Sequence, residues 1–303
     1  MSETELLRGR VLRTTSGFAY VQTEEGVLTC KVRGRLKKRD RRTDLVVLGD
    51  DVEVHPLPDG EGLVEKVLPR RTCFSRVHPA RGGGHREDVL VANLDTLAIV
   101  FAHGDPPFHP RMLDRFLIVA EHNGVGPVIV ANKTDQAEPT VTETFRRYRK
   151  LGYTLHETSA TTGAGIDELR EEVAGTLVAF VGPSGVGKSS LLNALDPNLA
   201  QAVAETSTLH GKGRHTTRVA TLFPFAGGYL ADTPGIRELG LWQIPDGELD
   251  QCFPEMRPLL GQCGFRNCKH LSEPRCAVQD AVGETIHPER YESYRRLVEG
   301  DER

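Results

Sequence analysis

Two short runs constrain this 303-residue chain more than anything else in it, because of the order in which they come. Asn132-Lys133-Thr134-Asp135 stands upstream of Gly182-Pro183-Ser184-Gly185-Val186-Gly187-Lys188-Ser189. Each follows a stretch with the character of a buried strand, Val128–Ala131 before the first and Leu177–Val181 before the second. Ser190–Leu195 then reads as the start of a helix. A strand, a glycine-rich turn ending in Lys-Ser and a helix make a phosphate-binding loop. Its glycines let the backbone curl so that N–H groups face the phosphates. Lys188 brings a charge to the β and γ phosphates, and Ser189 offers a hydroxyl to Mg²⁺.

The phosphate loop does not choose between adenine and guanine. Asp135 does, since its carboxylate accepts hydrogen bonds from the N1–H and 2-amino groups that only guanine offers. A site built on such bonds rejects the analogue lacking them by roughly 10⁴ or more. Asn132 is expected at the other edge of the base, and the Lys133 stem over its face. Alone, Asn-x-x-Asp is a common surface turn; at a strand end beside a phosphate loop it reads guanine. Thr158-Ser159-Ala160 falls where a second guanine loop belongs, with the Ala160 N–H expected at guanine O6. Asp232-Thr233-Pro234-Gly235 closes the apolar segment Gly228–Ala231. Asp232 is expected to hold Mg²⁺ through water, and the Gly235 N–H to sense the γ-phosphate. Between them, Gly213-Arg214-His215-Thr216-Thr217-Arg218 carries two threonines, either of which can be the switch ligand to Mg²⁺. In an ordinary guanine-nucleotide switch the phosphate loop comes first, so the same parts are here rotated along the chain.

The surroundings divide into four stretches. In residues 1–72, Gly9–Thr15, Phe18–Gln22, Val27–Val32, Asp51–His55 and Leu63–Val67 read as short strands between glycine turns, which points to a small OB-type barrel. Residues 73–90, with Arg81-Gly82-Gly83-Gly84-His85-Arg86, read as a linker. In residues 91–240, Thr96–Ala102 suits a buried parallel strand, Pro110 opens a helix and Gly124 stops it, and Ile166–Val173 is helical. Residues 241–303 end in a helix opened by Pro288, with Tyr291, Tyr294, Leu297 and Val298 on one side and Arg290, Arg295 and Arg296 elsewhere.

No apolar run approaches the roughly 20 residues of a membrane span, and the start lacks the regions of a signal peptide. The expected setting is the cytoplasm, without membrane contact. Charge is uneven: residues 31–42 carry eight basic residues and one acidic, a net +7 against −4 for the whole chain, which leaves −11 elsewhere. Such an arm is either a contact to a nucleic-acid backbone or a solvated loop. Cys263, Cys268, His270 and Cys276 give three thiolates and one imidazole in a short span, a set that zinc takes as a closed tetrahedral site. Cys252 is the nearby substitute; Cys30 and Cys73 are expected to be packed.

The motif order, the barrel ahead of it and the Cys/His cluster behind it resemble the ribosome small subunit-dependent GTPases, the circularly permuted RsgA/YjeQ family. The resemblance covers essentially the whole chain, and Cys263, Cys268, His270 and Cys276 match that family's zinc ligands. Thr134 and Gln136 replace more usual apolar residues without touching the Asn132 and Asp135 roles. It implies GTP hydrolysis stimulated by the small (30S) ribosomal subunit during late maturation, with binding to 16S rRNA. Nothing demands more than a monomer. Ile236 stands where many switch GTPases place the glutamine that orients water, so hydrolysis is expected to be slow alone. His215 is a candidate to orient or deprotonate that water, or else a surface histidine. A GTP-gated RNA-binding module and a GTP-dependent regulator of a protein partner remain as other readings.

Overall fold

The computed structural model describes residues 5–15, 17–32, 46–79, 85–209, 220–233, 244 and 247–300. Five strands near the N-terminus, β1 (Leu7–Thr15), β2 (Phe18–Thr23), β3 (Gly26–Val32), β4 (Asp51–Pro56) and β5 (Glu61–Val67), form a barrel in the order β1-β2-β3-β5-β4. β1 pairs with β4 to close it, and only β3 and β5 run parallel. Alternate residues point inward, so Val11, Ala19, Val21, Cys30, Val52, Val54 and Val64 fill the barrel. This is the OB-type barrel expected from the strand pattern.

The segment expected to be a linker is instead structured on both flanks. β6 (Cys73–Pro79) and β7 (His85–Ala92) pair antiparallel from Cys73↔Ala92 to Pro79↔His85. The glycines at 82–84 drew attention away from the apolar residues on either side, and Phe74 and Val91 are fully buried.

Six further strands make the central sheet: β8 (Thr96–Ala102), β9 (Gly126–Asn132), β10 (Thr154–Glu157), β11 (Leu177–Val181), β12 (Thr221–Phe225) and β13 (Gly228–Asp232). Their order is β10-β9-β8-β11-β13-β12, parallel except for β12. Helices cover both faces: α1 (Pro110–His122) and α2 (Pro139–Lys150) one, α3 (Ile166–Val173), α4 (Lys188–Leu195) and α5 (Pro197–Leu209) the other. Along β8, Leu97, Ile99 and Phe101 pack with α1 and α2, while Ala98, Val100 and Ala102 pack toward α3 and α4. A strand buried on both faces is why these segments read as continuous apolar runs.

The barrel is joined to this sheet through the pair Arg13↔Thr221 of β1 and β12. The turn ahead of β4 packs against the strand that leaves the hairpin. Ala92 N donates to Leu48 O (2.8 Å), and Asn93 Nδ2 to Gly49 O (3.0 Å). Buried Asp50 takes both arms of Arg70 at 2.7 and 2.9 Å.

Residues 247–300 hold two short helical turns, then α6 (Ala277–Asp280) and α7 (Pro288–Val298). Phe253, Met256, Val278, Ile286 and Tyr294 form a small core together with Ile118 of α1. Arg290, expected on the polar side of the last helix, is only 5% exposed. Its guanidinium bonds Glu255 at 2.7 and 3.2 Å and Asp114 of α1 at 2.5 Å, lying 4.6 Å from the Phe253 ring centre. Tyr148 of α2 donates its hydroxyl to the same Asp114 (2.7 Å). Two carboxylates and a cation so placed satisfy each other away from water.

Candidate functional site

The carboxyl ends of β9, β8, β11 and β13 lie along one edge of the sheet. On one side of β8 the chain order runs to β9 and β10, on the other to β11 and β13. Such a reversal leaves a crevice beyond the strand ends, the usual binding place in open α/β sheets. The loop Gly182–Gly187 leaves β11 there, and Lys188, Ser189 and Ser190 form the first turn of α4. The start of that helix offers backbone N–H groups and a positive dipole end to an anion. Lys188 Nζ folds onto the loop, donating to Gly182 O (2.8 Å) and Pro183 O (2.6 Å).

Asn132 ends β9 and is 1% exposed. Its amide makes three hydrogen bonds to protein groups of two neighbouring loops. Nδ2 donates to Val186 O (2.9 Å), and Oδ1 accepts from Thr158 Oγ1 (3.2 Å) and Ala160 N (3.3 Å). It therefore ties the phosphate loop to the Thr158–Ala160 turn. Lys133 has a left-handed backbone, φ 61°, which turns its side chain toward the phosphate loop. Its Nζ donates to Gly185 O (2.9 Å) and to Asp105 O. Thr134 opens a short helical turn through Gln136, with Thr134 N donating to Thr158 O (3.1 Å). Asp135 accepts from Ser159 Oγ (2.5 Å). The base-reading run, the second loop and the phosphate loop are thus one bonded assembly.

Asp232 ends β13, whose neighbour β11 carries the phosphate loop. His215, Thr216, Thr217, Gly235 and Ile236 lie outside the described residues, as does most of the basic run 31–42. Sequence reasoning missed His103, where β8 ends. It is 2% exposed, against the Phe145 ring, and among the described residues neither ring nitrogen has a hydrogen-bond partner. Burial holds it below its ordinary 6.5, with Glu157 opposing. A lone histidine after a strand carries no signal that separates it from a surface one.

The four cluster ligands also come together. Their donor atoms all lie within 4.8 Å of one another. Cys263 Sγ is 3.9 Å from Cys276 Sγ, close to the edge of about 3.8 Å set by tetrahedral zinc–sulfur bonds. His270 Nδ1 faces the sulfurs of Cys263 and Cys276 at 3.5 and 3.3 Å, while Nε2 faces Asp250 at 3.4 Å. A carboxylate behind a histidine fixes which nitrogen points at a metal. The donor set and spacing fit a structural zinc ion. Cys252 lies instead in the small core, its thiol donating to Glu248 O (3.5 Å).

Fold and site define a phosphate-loop nucleotide-binding protein of permuted connectivity. The family model described as RsgA GTPase matches residues 67–242, and that of the RsgA N-terminal domain residues 8–64. The chain is 45% identical over 297 residues to the small ribosomal subunit biogenesis GTPase RsgA of Gemmatimonas aurantiaca, covering 95% of each chain. It is 44% identical over 290 residues to the protein of that name from Moorella thermoacetica, again covering 95% of each. Among solved structures, YjeQ from Thermotoga maritima matches with a TM-score of 0.77 at 33% identity, over 98% of this chain and 99% of that one. YloQ, a circularly permuted GTPase, matches with 0.75 at 29%, over 99% and 97%. The chain belongs to the RsgA GTPase family and is a GTPase.

Proposed function

We propose that this GTPase binds the small ribosomal subunit through its 16S rRNA and hydrolyses GTP there late in subunit maturation, as a cytoplasmic monomer. The observation that supports this best is the bonded assembly of Asn132, Lys133, Asp135 and Ser159 with the phosphate loop, flanked by the barrel and the Cys/His unit. On this reading residues 1–72, 91–240 and 241–303 act as three domains around the segment 73–90.

Asp135 accepts from the guanine N1–H and 2-amino group, Asn132 addresses the other edge of the base, the Lys133 stem covers its face and the Ala160 N–H meets O6. The loop Gly182–Ser189 wraps the phosphates, Lys188 swings onto the β and γ oxygens, and Ser189 supplies a hydroxyl to Mg²⁺. Asp232 holds that ion through water. Gly235 and one of Thr216 and Thr217 answer to the γ-phosphate. His215 takes the place of the missing glutamine beside Ile236 and orients the attacking water. Cys263, Cys268, His270 and Cys276 hold zinc, which supplies cross-linking and no chemistry. Loss of the γ-phosphate alters the pose of the RNA-facing units, releasing them from the subunit.

The test is GTP turnover with and without small ribosomal subunits. The expected result is slow turnover alone and at least tenfold stimulation, which His215→Ala abolishes. No stimulation of the wild type, together with RNA affinity that GTP raises, would instead make the chain a GTP-gated RNA-binding module.

A further inference from the structure

A second groove lies between the start of α1 and the second half of α7. It has a volume of about 360 Å³, within the range of small-ligand sites. His109, Pro110, Arg111, Met112 and Arg115 line it from α1, and Ser293, Arg296 and Leu297 from α7. Among the described residues three arginines and a histidine line it and no acidic residue does, on a chain whose net charge is −4. Glu292 accepts from Arg296 Nε at 2.7 Å.

Three further observations point to a ligand. α1 is a 13-residue helix that opens into the groove with Pro110 first, no side-chain cap from His109 and no acid in its first turn. Its own first turn therefore supplies no carboxylate to the positive end that favours an anion. Ser293 is 3% exposed, and among the described residues its hydroxyl has no hydrogen-bond partner. A buried hydroxyl left unpaired is costly, and a polar ligand edge recovers that cost. Met112 is 40% exposed at the mouth, and Pro110 and Leu297 continue that apolar surface. The groove is also preformed. Arg290, one turn before Ser293, bonds Asp114 of α1, so the two walls are fixed relative to each other.

We infer that this groove binds one unpaired nucleotide of an RNA strand. The sugar-phosphate lies over the start of α1 between Arg111, Arg115 and Arg296. The base enters against Pro110, Met112 and Leu297, with its polar edge on Ser293. Guanidinium planes both stack on bases and pair with phosphates, and unpaired bases are what proteins read in RNA. The choice of RNA over another polyanion rests on the ribosomal reading above. The site itself rests on the geometry.

The test uses the full chain and a fluorescent decauridylate carrying one 4-thiouridine. Anisotropy titrations across a range of salt compare wild type with Arg111→Glu, Ser293→Ala and, as a charge control, the exposed Arg146→Glu. Photo-cross-linking then maps the contacted peptide. The expected result is a cross-link within residues 109–115 or 293–297. Arg111→Glu weakens binding about tenfold more than Arg146→Glu and lowers the salt slope by about 0.7 for the lost single-strand phosphate. Ser293→Ala weakens binding about threefold with the slope unchanged. Cross-links confined to other peptides, or equal losses in the two charge reversals, overturn the site. So does a polyglutamate peptide that binds through Arg111 while the RNA does not. Subunit-stimulated turnover of the wild type is read in parallel. If it is normal while the groove variants bind RNA as wild type, the site alone fails; if it is absent, the ribosomal reading fails.

Discussion

One amide, that of Asn132, bonds two loops at once, and the glycine facing it shows how little room that leaves. Gly187 has φ +93°, and a β-carbon there would lie 2.5 Å from Asn132 Nδ2. Gly187→Ala is expected to cost upward of about 1 kcal/mol of stability through the backbone alone. It should also weaken GTP binding tenfold or more by displacing Asn132, as competition against a fluorescent guanine nucleotide would report. His103 gives a pH dependence of known sign. Its folded pKa is pushed down by burial, so on acidification the unfolded chain takes up the proton first. The neutral imidazole thus contributes stability that is present above about 6.5 and lost progressively below it. The gap in melting temperature between about pH 7.5 and 5.5 should narrow in His103→Leu; an unchanged gap removes His103 from the account. At this scale the turn from strand to helix around Gly182–Ser189 was legible, because a phosphate loop admits few substitutes. The protein-facing role of Asn132 was not, since one side chain serves a base edge or a backbone carbonyl equally well.

Among the elements, the barrel strands and the sheet core were readable because alternation and continuous apolar runs are direct records of burial. α2 was not picked out: Phe145 and Tyr148 are its only buried residues, and an otherwise polar helix leaves no stripe. The hairpin Cys73–Ala92 was hidden by its own glycines. Residues 247–300 are poor in regular structure, and their helices are short apart from α7. Glu273 stitches the ligand loop by accepting from Lys269 N, Leu271 N and Ser272 N at 2.8, 2.9 and 3.1 Å. A small unit of this kind draws much of its stability from metal, about 10 kcal/mol or more in zinc-finger peptides. Removing zinc with a strong chelator should therefore expose residues 247–300 to protease before the nucleotide domain. Asp250→Ala should lower zinc affinity about 10–100-fold while leaving the ligands in place. Equal protection with and without chelator would count against a structural ion.

In the whole molecule, the Cys/His unit is docked as well as tethered. Arg290 joins Glu255 of its own unit to Asp114 on α1, and Arg257 reaches Glu121 of α1 at 2.5 Å. Arg290→Ala would leave Asp114 and Glu255 buried without a cation, a loss of about 3–5 kcal/mol. Loosening of residues 247–300 from α1 should follow, visible as faster amide exchange in α1 and α7; exchange confined to α7 would mean the docking carries little. None of this was legible beforehand, because helical periodicity places Arg290 but not the partner helix that covers it. At the other end, Leu48 belongs to the core that α1 and α2 cover, not to the barrel's interior. The backbones meet so closely at Gly49 that a β-carbon there would sit 2.2 Å from Ala92 O. A barrel seated in this way is no interchangeable cassette. Recombination that brought in a foreign barrel near residue 70 would have to bring its socket too, so the two units inherit change as a pair.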